Sequence, residues 1–349
     1  MRKRNKSLFF RILLLVYIFL LLGTLAGGLA PYLDVSVLGY VQFLPVGLSF
    51  LIPLHLLAAW SYRGSRWLLL AALLGLGVSV WVGMKDYRPG SSDPIPEGDL
   101  TVVSFNVRTF EYQNARVDEA AELIRSLEPD VVCLQEFRNH PINEEEKADS
   151  YLARKLGMKY YRFVTLPVHI HGAVIFSRFP ILKIDTLYVS AKEINSGILA
   201  TLALPTGKVG VANLHLSSFH LEGEMKENPS WKEKVKNIPL RLTKVLKLQQ
   251  QKVELVNERT RHYPYPLVIA ADMNSAPHTR ITTRLSNRFE DSFIKKGKGL
   301  GWTYPLLGPL GVRIDYLFSS SELEILNHRV VPSDVSDHYP IVATYRLVP

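Results

Sequence analysis

The spacing of apolar and polar residues divides this 349-residue chain into two unlike parts. Up to Met84, three apolar stretches run with few interruptions: Phe9–Ala30, Val35–Trp60 and Trp67–Met84. Each approaches or exceeds the roughly 18–20 residues that cross a hydrocarbon core. A continuous helix satisfies its own backbone polar groups there, so three transmembrane helices are expected. After Gly98 the pattern changes to short β-branched runs that end in polar residues. Leu100–Phe105, Val131–Leu134, Ala173–Phe176, Leu199–Leu204, Lys208–Leu214, Leu267–Ala271, Val312–Phe318 and Ile341–Leu347 read as buried strands. Ala115–Leu127, Ser150–Leu156, Pro239–Arg261 and Thr279–Arg284 read as helices between them. Many strands with fewer helices imply two packed sheets flanked by helices, although periodicity alone does not separate this from other α/β arrangements.

The stretch Asp86–Gly98 (DYRPGSSDPIPEG) is rich in Pro, Gly and Ser and reads as a linker. The expected organisation is a membrane anchor over 1–85, a linker over 86–98 and a separate domain over 99–349. The basic residues Arg2–Lys6, the apolar run and the small residues Ala26–Ala30 also fit a cleaved signal peptide, but two spans would remain. Arg2, Lys3, Arg4, Lys6 and Arg11 precede the first span, and Arg63 and Arg66 lie between the second and third. The positive-inside rule puts both regions in the cytoplasm, which leaves the C-terminal domain of a multi-pass cell-membrane protein on the extracytoplasmic side. Lys85 and Arg88 pull weakly the other way.

Charge adds little once it is divided. The net charge is +9, of which nine Lys/Arg and four acids before residue 98 make +5, leaving +4 for the rest. Much of the basic excess therefore belongs to membrane topology, and a nucleic-acid partner does not follow from it. The single cysteine, Cys133, excludes an intramolecular disulfide and a cysteine-rich zinc site, and its apolar neighbours predict a buried thiol. No G-x-S-x-G elbow, phosphate-binding G-x-x-x-x-G-K-[ST] loop or H-E-x-x-H motif is present.

The chemistry lies at the ends of the strands. Val102–Asn106 ends in Asn106, Val131–Glu136 in Gln135-Glu136, Val211–His215 in an Asn and a His, and Leu267–Asn274 in Asp272-Met273-Asn274. Asp315 falls within the apolar run Arg313–Phe318, and Asp337-His338 precedes the last strand. Loops can gather such residues into one site. Hard carboxylate and amide oxygens suit Mg²⁺ or Mn²⁺. An acid–histidine pair suits proton transfer, and amides and imidazoles can stabilise charge on a phosphoryl group.

In this order, with Gly172–Pro180 (GAVIFSRFP) among them, these residues resemble the endonuclease/exonuclease/phosphatase superfamily. That superfamily includes deoxyribonuclease-I-like nucleases, abasic-site endonucleases, sphingomyelinases and inositol phosphatases. The resemblance covers nearly all of residues 100–349 and implies a four-layer α/β/β/α sandwich with two packed mixed sheets. It also implies roles. Glu136 is then the principal metal ligand, with Asn106 at or beside the metal and Asp337 a second acid on that side. Asp272 orients or deprotonates the attacking water, and Asn274 helps hold nucleophile and phosphate. His338, polarised by Asp315, contacts the scissile phosphate, and His215 contacts phosphate or assists the leaving group. The implied activity is metal-dependent hydrolysis of phosphodiesters.

Some residues keep two readings. Asp315 is either a buried acid paired with Arg313 or a site residue, and an exposed arginine two positions away favours the site. Thr303 is a phosphate contact or a strand-end threonine, and His169 and His171 are substrate contacts or loop residues. Gln135 holds a neighbouring loop. The insertion Ser217–Lys236 and the helix after it carry Lys232, Lys234, Lys236, Arg241, Lys244, Lys247 and Lys252, which either meet phosphates or form a solvated face. The expected partners are thus the bilayer and a phosphodiester, in a lipid headgroup or a nucleic acid. A non-catalytic membrane scaffold is the reading from another class, and the intact set of polar residues argues against it.

The topology is testable directly. A reporter that works only outside the cytoplasm is expected to be active when fused after Pro349, and activity only of a cytoplasmic reporter there would overturn the orientation.

Overall fold

The computed structural model describes residues 2–35, 39–62, 64–90, 97–166, 169–189, 195–219, 231–307 and 310–348. Among the described residues, the α-helices before the first strand are α1 (Arg2–Gly28), α2 (Leu44–Leu48), α3 (Ile52–Ser61) and α4 (Arg66–Gly83). Three segments, Leu8–Gly28, Val41–Ser61 and Arg66–Gly83, are long and apolar enough to cross a membrane. The middle one is broken into short helical turns, with Pro45 and Pro53 each at the start of a new helical piece, where a missing N–H does no harm. Inside the bundle His55 is fully buried between Tyr17 Oη at 3.0 Å and Thr24 Oγ1 at 3.2 Å. Gly75 lets α4 approach that imidazole, because a Cβ there would lie 2.6 Å from His55 Cε1.

The first residues of the expected linker are paired. Tyr87–Arg88 (β1) lies antiparallel to Gly299–Leu300, and 91–96 fall outside the described residues. The chain then runs through β2 (Leu100–Asn106), α5 (Asn114–Arg125), β3 (Val131–Arg138), α6 (Ala148–Leu156), β4 (Tyr160–Val164) and β5 (His171–Ser177). Next come β6 (Ile181–Val189), β7 (Ser196–Leu204), β8 (Gly207–His215), α7 (Trp231–Arg259), β9 (Leu267–Asp272) and α8 (Arg280–Ser286). The last elements are β10 (Glu290–Asp291), α9 (Ser292–Lys296), β11 (Gly299–Leu300), β12 (Tyr304–Leu307), β13 (Leu310–Val312), β14 (Asp315–Ser319), β15 (Leu323–Val330) and β16 (Ile341–Leu347).

Two mixed six-stranded sheets result, in the orders β15-β16-β2-β3-β5-β4 and β10-β14-β9-β8-β7-β6. Each contains one parallel pair, β2 with β3 and β8 with β9. A helix makes each crossover, as a parallel connection requires: α5 in the first and α7 in the second. In α5 the buried residues Val117, Ala120, Ala121 and Ile124 follow the i, i+3, i+4, i+7 spacing of one apolar stripe.

Alternation along the strands sorts side chains into three layers of core. Val102, Val131, Cys133, Ile175, Val211, Val268, Leu317 and Ile341 meet between the sheets. Their neighbours Val103, Val132 and Val174 pack outward with α5 and α6, while Ala212, Ile269 and Phe318 pack with α7 and α8. This is the four-layer α/β/β/α sandwich that the resemblance implied. The thiol of Cys133 is fully enclosed, and burial pushes its pKa well up, which makes it inert.

Strands β4, β6 and β15 were not foreseen. The first two are sheet edges with mostly half-exposed residues, so no continuous apolar run marks them. The expected strand Val312–Phe318 is divided. Val312 closes the hairpin β12–β13, and Asp315 begins β14 instead of lying within a strand.

Cutting Ile175, fully buried between the sheets, to Ala should cost about 2–5 kcal/mol. This is measured as a lower thermal midpoint of the full chain in detergent. Leu182→Ala, on an exposed edge position, serves as the control and should leave the midpoint nearly unchanged.

Candidate active site

The strand ends converge at one end of the space between the sheets. His215, Asp272 and Asp315 stand in register on three adjacent strands, His215 opposite Asp272 and Asp272 opposite Asp315. Registered neighbours share a face. By alternation with Val211, Val268 and Leu317, that face is the inner one. Asn106 reaches them from the other sheet, its Nδ2 donating to Asp272 Oδ2 at 2.8 Å and to Glu136 Oε1 at 3.2 Å. Underneath, Gln135 Nε2 donates to Asn213 Oδ1 at 2.7 Å, and Asn213 Nδ2 donates to the carbonyls of Leu134 and Val174 at 2.9 Å. Gln135 and Asn213 therefore tie the two sheets together below the site.

Glu136 arrives by a different route. Strict alternation would send it outward with Val132 and Leu134, but the β3–β5 register shifts between Leu134 and Phe137 and Glu136 takes φ +49°. This bulge re-aims the carboxylate into the site. Its Oε1 lies 3.5 Å from His215 Nε2. Asn274 also has a left-handed φ, +46°. Its N–H donates to Asp272 Oδ1 at 2.9 Å and its side chain donates to the carbonyl of Leu216 at 3.1 Å.

Asp272 is the fully buried centre. His215 Nε2 lies 3.6 Å and His338 Nε2 4.0 Å from its Oδ2. Burial first, and then the neighbouring charge of Asp315, hold its pKa above the ordinary carboxylate range, against the opposing pull of the two histidines and Asn106. Such a carboxylate is a better proton acceptor than one in water. His338 Nδ1 lies 3.0 Å from Asp315 Oδ2. Burial alone would lower the imidazole pKa, but the carboxylates of Asp315 and Asp272 outweigh it and hold the value up at about 10. The two carboxylates thus favour the charged form of the ring, which Tyr304 meets edge-on at 5.0 Å.

Asp272, Asp315 and His338 also offer ligand atoms within 4.8 Å of one another, a spacing that could hold a metal ion. A metal takes a neutral imidazole nitrogen. In this trio the Nδ1 of His338 is already engaged by Asp315 Oδ2 at 3.0 Å, an acid–histidine pair set beside Asp272. The hard-oxygen pair at the open edge, Glu136 with Asn106, fits a divalent cation better by donor chemistry. The Glu136 side chain keeps 16% of its surface exposed.

Other expected residues occupy different positions. The Asp337 carboxylate lies 3.4 Å from Arg108 Nε and accepts from Ser336 Oγ, which itself also donates to the Asn106 carbonyl at 2.8 Å. Thr303 is fully buried, and its Oγ1 accepts from the N–H groups of Ile314 and Asp315 at 3.1 Å, so it holds the start of β14. His171 opens β5 at the rim, opposite Arg138 and edge-on to Tyr112 at 6.3 Å. Burial first, then Arg138, lowers its pKa. Arg313 is not exposed: it is 2% accessible and donates to both oxygens of Asp291 at 3.1 and 2.8 Å. A sequence pattern could not show this, because Asp291 comes from an element that periodicity does not mark. Residues 220–230 and the side chains of Lys232, Lys234 and Lys236 fall outside what is described. Lys252 Nζ donates to Ser217 Oγ at 2.8 Å, while Lys244 and Lys247 are exposed.

Sequence reasoning missed the segment after Asn106. Arg108 to Tyr112 all have φ between 42° and 60°, a left-handed turn that costs roughly 1–2 kcal/mol per residue. The buried ring of Phe110 and the Arg108 N–H, which donates to Asn106 Oδ1 at 2.9 Å, hold it.

The fold and the convergent acid, amide and histidine groups define a class, the phosphoric ester hydrolases built on a two-sheet sandwich. The chain belongs to the endonuclease/exonuclease/phosphatase family, whose model matches residues 103–338. Family members hydrolyse phosphoric esters, typically with a divalent metal. Among solved structures, the endonuclease/exonuclease/phosphatase from Bacteroides vulgatus is similar at 16% identity and a TM-score of 0.55, over 72% of this chain and 100% of that one. The catalytic domain of human Nocturnin with bound sulfate gives 17%, 0.52, 75% and 99%. D. rerio TDP2 complexed with a single-strand DNA product gives 17%, 0.52, 71% and 98%. At these identities the likeness concerns the fold. No curated protein sequence matches the chain significantly.

The His338 pair carries a pH signature. Its folded-state pKa lies above the unfolded value of roughly 6.5, so its stabilisation is complete below that pH and is lost as pH rises through about 10. In an NMR titration His338 should stay protonated well above neutrality, and Asp315→Asn should lower its midpoint. A ring that titrates near the unfolded value in both proteins would remove Asp315 from this role.

Proposed function

We propose that this chain is a membrane-anchored, metal-dependent phosphodiesterase, with 1–85 as anchor, 86–98 as connection and 99–349 as catalytic domain on the extracytoplasmic side. The observation that carries the reading is the convergence of Asn106 and Glu136 from one sheet with His215, Asp272 and the Asp315–His338 pair from the other. Glu136 and Asn106, with Asp337 as a further acid, would hold Mg²⁺ or Mn²⁺. Such an ion neutralises phosphate oxygens and lowers the pKa of water.

The chain's own groups divide the remaining work. Asp272, with its raised pKa, takes the proton of the attacking water. Asn274 fixes the Asp272 carboxylate through its N–H. The His338 imidazolium, held by Asp315, stabilises charge on the phosphoryl group, and His215 lies where it can serve phosphate or leaving group. Thr303 acts through Asp315, and His171 with Tyr112 belongs to the rim where substrate would enter.

A nuclease is the second reading. It is favoured by the single-strand DNA product held by the TDP2 relative and by the exposed Lys244 and Lys247 on α7. Both readings share the first test. The purified full chain is expected to hydrolyse a phosphodiester with Mg²⁺ or Mn²⁺ and to stop with EDTA. Glu136→Ala and His338→Ala should each lose at least about a hundredfold in turnover while the protein stays folded. Near-wild-type turnover in either variant would sink the site assignment.

A further inference from the structure

The end of the sandwich that carries the chemistry is also the end seated on the anchor. Three loops that leave or enter the site strands make the contact. After β9, His278 Nε2 lies 2.9 Å from the Gly28 carbonyl and its ring packs edge-on against Trp81 at 4.2 Å. Two residues on, the Arg280 N–H donates to Gln42 Oε1 at 2.7 Å. After β8, Phe219 packs on Phe43 at 5.1 Å. Before β14, the Gly301 N–H donates to the Asp86 carbonyl at 2.7 Å. Trp302, Gly311 and Val312 meet Val46, Ser49 and Phe50 of the second apolar segment around a small cavity. Val35 is buried in the same cluster as Leu246 of α7, so the contact includes core as well as polar bonds.

One element at this contact has an unexplained surface. The hairpin β12–β13 carries Leu306 and Leu310, which are 53% and 42% exposed. At its base Tyr304 packs on His338. Exposed leucines at a hairpin tip are unfavourable in water. Next to Leu310 in the chain, Gly311 and Val312 meet Val46 and Phe50 of the second apolar segment, and Phe50 is itself exposed. Exposed leucines on a hairpin seated against an apolar span fit a bilayer surface, where they gain stability.

We propose that Leu306 and Leu310 of the β12–β13 hairpin enter the bilayer surface and that the cleft beside them takes its phosphate ester from a lipid held in that bilayer. This rests on the hydrolase reading above and names its substrate class. The anchor then does more than tether: it fixes the cleft at the height of lipid headgroups, so the substrate need only diffuse in two dimensions.

The test uses the full chain in vesicles of phosphatidylcholine and phosphatidylglycerol. Leu306→Cys takes a polarity-sensitive fluorophore selectively, since Cys133, the single native thiol, is buried. Lipids brominated on the acyl chain should quench this label. They should spare the same label at Leu182→Cys, an exposed position at the far end of the sandwich. The vesicle lipid should be hydrolysed. The double variant Leu306→Ser/Leu310→Ser should lose about tenfold or more on lipid and less than about twofold on a soluble bis(nitrophenyl) phosphate.

An unquenched label at 306 overturns the inference. So does hydrolysis of the soluble diester or of single-stranded DNA without hydrolysis of lipid, and so does equal loss on both substrates in the double variant. A wild-type chain that cleaves none of them fails the hydrolase reading and the lipid substrate with it, while the label still decides where the hairpin lies.

Discussion

A carboxylate without access to water, that of Asp272, sets the terms for the two-sheet sandwich. Burying such a charge is expensive unless hydrogen bonds and opposite charges surround it. Here the compensation comes from both sheets at once. Asn106 donates from the first sheet, the Asn274 N–H from the loop that follows, and two imidazoles approach from β8 and the turn before β16. If either sheet shifted, the acid would lose partners it cannot replace with water. The Gln135–Asn213 tie beneath it, whose amides also reach the backbone of β3 and β5, keeps the sheets in that relation. The site and the packing of the sandwich are thus one set of interactions.

Strand parity explains how so many polar groups point the same way. Asn106, His215, Asp272 and Asp315 share strand parity with the inward-facing Val102, Val211, Val268 and Leu317, so they project into the end of the inter-sheet space. Glu136 is the exception. It reaches the site only because a bulge with a left-handed residue breaks the alternation of β3. Local strain of this kind persists where surrounding structure enforces it. The neighbouring left-handed turn Arg108–Tyr112 stands at the same rim.

The N-terminal helices and the candidate site are joined by a second buried charge group. Asp86, just past α4, lies near the Arg313–Asp291 pair. Burial first, then Asp291, raises its pKa to about 6 against the opposing effect of Arg313. Arg313 stands two residues before Asp315, which pairs with His338. The exit of the last apolar helix is therefore packed against the base of β14. This contact makes the expected linker a structural joint at its first residues.

The sequence alone marked the three apolar segments, the buried strands and most of the polar groups that converge in the candidate site. Those features are written locally: long apolar runs, β-branched runs that repeat, and acids or amides placed where an apolar run stops. Edge strands β4 and β6 escaped because half-exposed residues leave no such run. Tertiary structure decided what depends on residues far apart in the chain. Thr303 proved to be a buried support for Asp315, and Arg313 proved to be the partner of Asp291 and not an exposed neighbour. The inward turn of Glu136, the tie between Gln135 and Asn213, and the seating of that end of the sandwich on the N-terminal helices belong to the same group. Each is a meeting of side chains from separate elements, and no one-dimensional pattern contains the distance between them.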